Sequence, residues 1–311
     1  MSKTRIVFMG TPDFAVPCLA MLVNEGYDVS AVISQPDRPK GRGQKLTPSP
    51  VKEAALAFGI PVLTPERIKE ASFIDAMTEL NPEIIIVVAF GQFLPQKLLD
   101  LPKFGCINVH ASLLPKYRGA APIHWAIMNG ETTTGITTMY MDVGMDTGDM
   151  ILKAETPIGP MATTGDLHDV LKELGAEVLS QTIRQILAGT ALRTPQEHSA
   201  ATYAPLLTRA TERIDWHKSA VEIHNLVRGL NPWPGAYCLH HGKGLKIWTT
   251  RALPDSISGE PGKIVYNSGS VIVGTGSGSI ELLEVQPESK RRMAANEYIR
   301  GHNIGDVVPL E

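Results

Sequence analysis

The segment from Arg5 to Ser34 constrains the fold more than any other. An apolar run, Ile6-Val7-Phe8-Met9, gives way to Gly10-Thr11-Pro12-Asp13, then to a helical stretch from Phe14 to Asn24, then to a strand-like run from Asp28 to Ser34. Pro12 and Asp13 are residues that start helices. A strand, a helix and a second strand in this order predict an α/β chain with a Rossmann-like, doubly wound parallel sheet. The turn after the first strand lacks the glycine spacing of a dinucleotide fingerprint. It also places the Asp13 carboxylate where a pyrophosphate would sit, which argues against NAD.

The alternation continues downstream. Helices are predicted over Val51–Phe58, within Pro65–Leu80, and over Ala120–Met128 and Thr163–Leu187, with a helical turn at Pro95–Leu99. Strands are predicted at Pro61–Leu63, Glu83–Val88, Cys106–Val109, Gly135–Met141 and Met150–Pro157. Periodicity then weakens between Ala188 and Pro205. A helix follows near Glu222–Gly229, and beyond Gly235 short strand-like runs alternate with glycine turns, the pattern of a small β-barrel. The predicted organisation is an α/β domain over residues 1–188, a linker over 189–205 and an OB-like β-barrel domain over 206–311. Gly274-Thr275-Gly276-Ser277-Gly278 lacks the ending of a P-loop and is read as a hairpin turn.

Composition removes several classes of function. No run of about 18 apolar residues is present, so no membrane span is predicted. The formal net charge of −3 excludes nucleic-acid binding by bulk basicity and leaves only local patches. Cys18, Cys106 and Cys238 have no paired spacing and are read as reduced thiols of a cytoplasmic protein, without a metal site or a disulfide framework.

The chemistry concentrates between Cys106 and Gly119. Asn108 and His110 are two apart at the end of a strand and therefore share a face. An amide beside an imidazole can polarise a carbonyl and hold the oxyanion formed on nucleophilic attack. From the residues alone, His110 is equally readable as a satisfied core histidine. Asp146, between Gly144 and Gly148, sits where backbone can approach other segments closely. Asp142 and Asp149 share that loop, and turn-capping is the expectation for two of the three. His240 and His241 are expected to be exposed. No serine elbow is present and Cys106 lies inside an apolar strand, so direct transfer without an enzyme-linked intermediate is the simpler reading. The loop from Gln35 to Pro50 carries Arg38, Lys40, Arg42 and Lys45 against Asp37. It reads either as a solvated surface loop or as an arm that closes on a phosphate backbone.

Asn108-Val109-His110, then Ser112-Leu113-Leu114-Pro115-Lys116-Tyr117-Arg118-Gly119, then Asp142-x-Gly144-x-Asp146-Thr147-Gly148 resemble the signature of folate-dependent formyltransferases. Gly10 to Pro17, Pro36 to Gly43 and Asn231-Pro232-Trp233-Pro234-Gly235 extend the resemblance over essentially the whole chain, toward members whose acceptor is a charged tRNA. The resemblance implies 10-formyltetrahydrofolate as co-substrate and no metal. It implies methionine esterified to initiator tRNA as partner, with Asn108, His110 and Asp146 as the catalytic trio. It further implies a folate pocket lined by Ser112, Leu113, Leu114 and Pro115; strand-end topology alone adds Phe14, Phe90 and Gly91 as weaker candidates. The tRNA contacts fall to Arg42 first, with Arg38, Lys40 and Lys45, and more weakly to Lys243, Lys246 and Arg251. The expected state is a cytoplasmic monomer. Formyl transfer to a small amine, hydrolysis of the same folate, and a tRNA-binding module with a vestigial site remain as competing readings.

Overall fold

Runs of β-branched residues with no polar interruption become the strands that are buried on both faces, as a parallel sheet covered by helices requires. The computed structural model describes residues 4–300 apart from 41, 42, 44, 255–259 and 268. The strands are β1 (Arg5–Gly10), β2 (Asp28–Ile33), β3 (Arg38–Lys40), β4 (Lys45–Thr47), β5 (Val62–Leu63), β6 (Ile84–Val88), β7 (Cys106–His110), β8 (Arg118–Gly119), β9 (Thr133–Tyr140), β10 (Met150–Pro157) and β11 (Tyr203–Ala204). Seven of them form one sheet in the order β10-β9-β7-β6-β1-β2-β5. The pairs from β5 to β7 are parallel, and β9 joins β7 antiparallel. Every residue of β6 is buried, at about 1.5–3 kcal/mol of hydrophobic transfer per Val or Ile side chain.

The chain runs outward from β1 through β2 to β5 and returns on the other side of β1 to β6 and β7. Ligands of such sheets bind at a reversal of this kind, outside the carboxyl ends of the strands. Gly10, at the end of β1, has a packing role: a Cβ there would lie 2.9 Å from Ala15 Cβ and from Phe8 Cε1. The long helix Thr164–Ala188 packs closely on β7, since a Cβ on Gly175 would lie 3.3 Å from Val109 Cγ1.

Clustering of contacts divides the chain into units that interleave along the sequence. The first runs through Pro122 and takes in Thr134–Thr156 and His168–Ala204; the second comprises Ile123–Thr133, Pro157–Leu167 and the chain from Pro205 onward. The stretch read as a linker is packed on the first unit. Thr194 forms a two-way backbone bridge with Met150, and β11 pairs with β8. Its threonines and glutamine give no hydrophobic period because their partners are backbone groups and polar side chains.

The second unit carries the antiparallel strands β12 (Ala236–His240), β13 (Lys243–Leu253), β14 (Ile264–Asn267), β15 (Ser270–Gly274), β16 (Ser279–Pro287) and β17 (Met293–Ala294). Their order is β12-β13-β16-β15-β14, with β17 on β16. Gly274 and Ser279 pair across the predicted hairpin turn. The helix Ala220–Gly229 is started by a capping box, in which Ser219 Oγ accepts from Glu222 N and Glu222 Oε2 accepts from Ser219 N. His240, expected to be exposed, is buried, and its ring nitrogen lies 2.7 Å from Tyr298 Oη. Among the described residues no helix is long and apolar enough to cross a membrane. Ile86→Ala, at the centre of the buried sheet, is expected to lower stability by about 2–5 kcal/mol in denaturant unfolding.

Candidate active site

Strand β7 ends beside this reversal of the sheet with Asn108 and His110 on one face. Cys106 pairs with Ile85, Ile107 with Ile86 and Asn108 with Val87 on one side, while His110 pairs with Thr137 on the other. His110 is 6% exposed and Asn108 half-buried. The Cys106 thiol on the same strand is pushed up to about 12 by burial, with Asp100 adding to the effect, so it supplies no thiolate.

Asp146 reaches this face from the loop between β9 and β10. Its Oδ2 accepts from the Gly119 amide at 2.8 Å, its Oδ1 from Asn108 Nδ2 at 3.4 Å, and Oδ2 lies 3.7 Å from His110 Nδ1. The structure thus brings together all of Asn108, His110 and Asp146. His110 Nε2 is 2.9 Å from the Tyr117 carbonyl oxygen, which can only accept. Nε2 therefore carries a proton, and Nδ1 is the nitrogen turned to the carboxylate. Asn108 keeps an amide N–H beyond its long contact with Asp146.

The loop that carries Asp146 is shaped for it. Asp146 has φ +53°, a left-handed conformation that short polar side chains tolerate and that costs of order 1–3 kcal/mol when not compensated. A Cβ on Gly148 would fall on the Tyr140 carbonyl oxygen, so only glycine fits. Asp142 caps the turn, its Oδ1 accepting from Gly144 N at 2.9 Å and Thr147 Oγ1 at 2.6 Å. Buried Gln196 donates from Nε2 to the carbonyls of Asp146 and Gly148, each at 2.8 Å. Its Oε1 accepts from Arg118 Nη2 at 2.7 Å and Nε at 3.1 Å. Sequence reasoning missed Gln196 and Arg118. Neither belongs to a hydrophobic period, and Gln196 is 50 residues from the loop it holds.

The Ser112–Pro115 turn follows β7 and is pinned from beneath. Thr137 Oγ1 donates to Ser112 O at 2.7 Å and accepts from Leu114 N at 3.1 Å; Lys153 Nζ donates to Leu114 O at 2.5 Å. Burial holds the Lys153 ammonium below its usual range, with Glu155 acting the other way. Ser112 is buried and donates to Lys116 O at 2.6 Å. Leu114 is packed in a small core cluster with Met139 and Met150, so its side chain is not a pocket wall. Leu113 and Pro115 are the residues of this turn that keep exposed surface. Phe90 belongs to the core and Phe14 is buried edge-on against His168.

The basic loop forms a hairpin. Arg38 pairs with Thr47 and Lys40 with Lys45 in the β3–β4 ladder. Arg38 Nη2 is 3.3 Å from Glu66 Oε2, and Lys45 is exposed. Arg42 lies outside the described residues. In the second unit Lys246 donates to Pro234 O at 2.6 Å and Arg251 pairs with Glu281 at 3.2 Å, while Lys243 is exposed. Among the described residues, no three His, Cys, Asp or Glu side chains gather as a metal-ligand set. Thr137→Val, which removes both bonds to the turn, is expected to cost about 1–3 kcal/mol. The Ser112–Pro115 amides should gain hydrogen exchange in that variant.

Comparison with known proteins agrees with the geometry. Residues 4–183 match the formyl transferase model and residues 206–303 the model of the formyl transferase C-terminal domain. The methionyl-tRNA formyltransferase of Acetivibrio thermocellus is 52% identical over 304 residues, covering 97% of this chain and 98% of that one. Among solved structures, an N-formyltransferase from Helicobacter canadensis, complexed with folinic acid and dTDP-3-aminofucose, superposes with a TM-score of 0.69 at 22% identity, covering 92% of this chain and all of that one. HypX from Aquifex aeolicus, in complex with tetrahydrofolic acid, gives a TM-score of 0.66 at 18% identity, over 96% of this chain and 47% of that one. With both family models matched in order and this identity sustained over nearly the full length, the chain belongs to the formyl transferase family and is a formyl-transferring enzyme.

Proposed function

We propose that this chain moves the formyl group of 10-formyltetrahydrofolate to the α-amino group of methionine esterified to initiator tRNA. The observation that carries the reading is the convergence of Asn108, His110 and Asp146 at a strand end inside a formyl transferase fold. Identity of 52% to a methionyl-tRNA formyltransferase over nearly the whole chain supports the choice of acceptor. The bound folates of the fold relatives support the choice of donor.

The residues suggest the following steps. The neutral amine attacks the formyl carbon and a C–N bond forms. The formyl oxygen becomes an oxyanion and takes hydrogen bonds from Asn108 Nδ2 and from His110 once Nδ1 is protonated. The proton lost by the amine passes to the Asp146–His110 pair, whose 3.7 Å spacing leaves room for adjustment or for a bridging water. Collapse of the tetrahedral intermediate breaks the bond to the folate nitrogen, which leaves with a proton from the same pair. An α-amino group titrates near pH ~8 in model compounds, so a useful share is already neutral and a modest base suffices.

The turn over Ser112, Leu113, Leu114 and Pro115 is assigned to folate through the exposed faces of Leu113 and Pro115, with Ser112 and Leu114 holding the shape of the turn. Arg42, with Arg38, Lys40 and Lys45, is assigned to the tRNA acceptor end, because guanidinium and ammonium groups bind phosphates and base edges. Catalysis is assigned to residues 1–188 and tRNA binding to residues 206–311, in a cytoplasmic monomer.

An assay with 10-formyltetrahydrofolate and charged initiator tRNA, charged elongator tRNA or water separates transfer from hydrolysis and reports acceptor choice. Formylation of initiator tRNA alone is the expected result; formate release without an acceptor, or no use of charged tRNA, overturns the reading. Asn108→Ala is expected to lower turnover ~10²–10³-fold, and His110→Ala at least ~10²-fold. Arg42→Ala is expected to raise KM for charged tRNA while KM for the folate stays unchanged.

A further inference from the structure

We propose that Gln196 is a positioning residue for the transfer reaction. Its amide, oriented by the buried Arg118 guanidinium, holds the backbone of the Asp146 loop so that the carboxylate faces Asn108 and His110. The inference rests on the catalytic reading of Asp146 above and adds to it the group that keeps Asp146 in place.

The side-chain amide of Gln196 has all its strong bonding capacity in use. An amide offers two N–H donors and one carbonyl acceptor. Both donors go to main-chain carbonyls, of Asp146 and Gly148, and the acceptor takes two bonds from Arg118. The orientation is therefore unambiguous. Turned over, the amide would set its oxygen against two carbonyls and its NH₂ against a guanidinium.

Arg118 explains why that orientation is enforced. It is 2% exposed, and among the described residues its side chain bonds Gln196 Oε1 and, at 3.3 Å, His198 Nδ1, with no carboxylate partner. A buried cation without a carboxylate partner is expensive, and an apolar side chain would fill the space at lower cost. A guanidinium, however, can only donate. It compels the Gln196 oxygen toward itself and commits the NH₂ group to the Asp146 loop.

The bonds fall where the loop needs them. Asp146 is in the left-handed region at φ +53°, and the carbonyl that Gln196 grips is its own. The second grip is on Gly148, where no side chain fits. Pinning the backbone on either side of Thr147 leaves the Asp146 side chain free to accept from Gly119 N and Asn108 Nδ2. The segment bearing Gln196 is itself anchored by the Thr194–Met150 bridge.

The test uses Gln196→Glu. This variant keeps the volume and gives Arg118 an acceptor, but its carboxylate has no N–H for the two carbonyls. The expected result is a fall in kcat of ~10–10²-fold, the scale of a ~1 Å misplacement. KM for 10-formyltetrahydrofolate should stay near wild type, so that the loss falls on kcat. Single-turnover assays in an Asp146→Asn background should then show Gln196→Glu adding less than ~2-fold, because coupled residues are not additive. A kcat within ~2-fold of wild type for Gln196→Glu overturns the inference, as does an undiminished loss in the Asp146→Asn background. Wild-type turnover by Asp146→Asn alone removes the catalytic reading of Asp146, and this inference with it. Full loss in Asp146→Asn beside normal turnover in Gln196→Glu removes the inference alone.

Discussion

A loop carboxylate in a left-handed backbone, aimed at an imidazole at a strand end, is the arrangement on which the proposed active centre depends. Asn108 and His110 need no special device, since neighbouring positions on the end of a buried strand share a face automatically. Asp146 does need one. It enters from a loop beyond the antiparallel strand β9, and its conformation is unfavourable by itself. The loop is held by the Gly119 amide on the carboxylate, by Asp142 inside the turn and by Gln196 on the backbone. Such over-determination is how strained residues persist at functional sites.

The sheet makes that possible by being closely packed at the end that carries the proposed site. Buried aliphatic strands fix the end of β7, and Gly175 lets the long helix settle against Val109 on that strand. The turn that follows β7 has its polar groups taken by Thr137, Lys153 and Lys116, so it presents a set shape to whatever lies against it. Buried polar groups here are satisfied by specific partners, which gives a single geometry where an apolar filling would tolerate several.

Charge is distributed in the same economical way. A net charge of −3 leaves no general attraction for nucleic acid, and several cations are internally engaged: Arg118 by Gln196, Arg251 by Glu281 and Lys246 by the Pro234 carbonyl. The exposed basic residues of the β3–β4 hairpin are therefore a local feature, and Arg38 is already shared with Glu66. A side chain paired across an exposed contact of this kind gives up little when it changes partner, since surface ion pairs contribute only about 0–1 kcal/mol.

The sequence by itself determined the α/β class, the strand β7 with Asn108 and His110 on one face, and the glycine-bounded Asp146 loop. These depend on period, on turn residues and on spacing within a short stretch, all local properties of the chain. It also carried enough of a signature to indicate the family. The family resemblance pointed to Asp146, but only the tertiary structure showed what sets it apart from Asp142 and Asp149 in the same loop, namely the approach of Gly119 and Asn108 to its carboxylate. The structure likewise turned the supposed linker into a support for the active centre, buried the side chain of Leu114 and placed His240 against Tyr298. Those outcomes hang on hydrogen bonds and packing between residues distant in sequence, and a polar side chain that bonds to distant backbone leaves no period by which to find it.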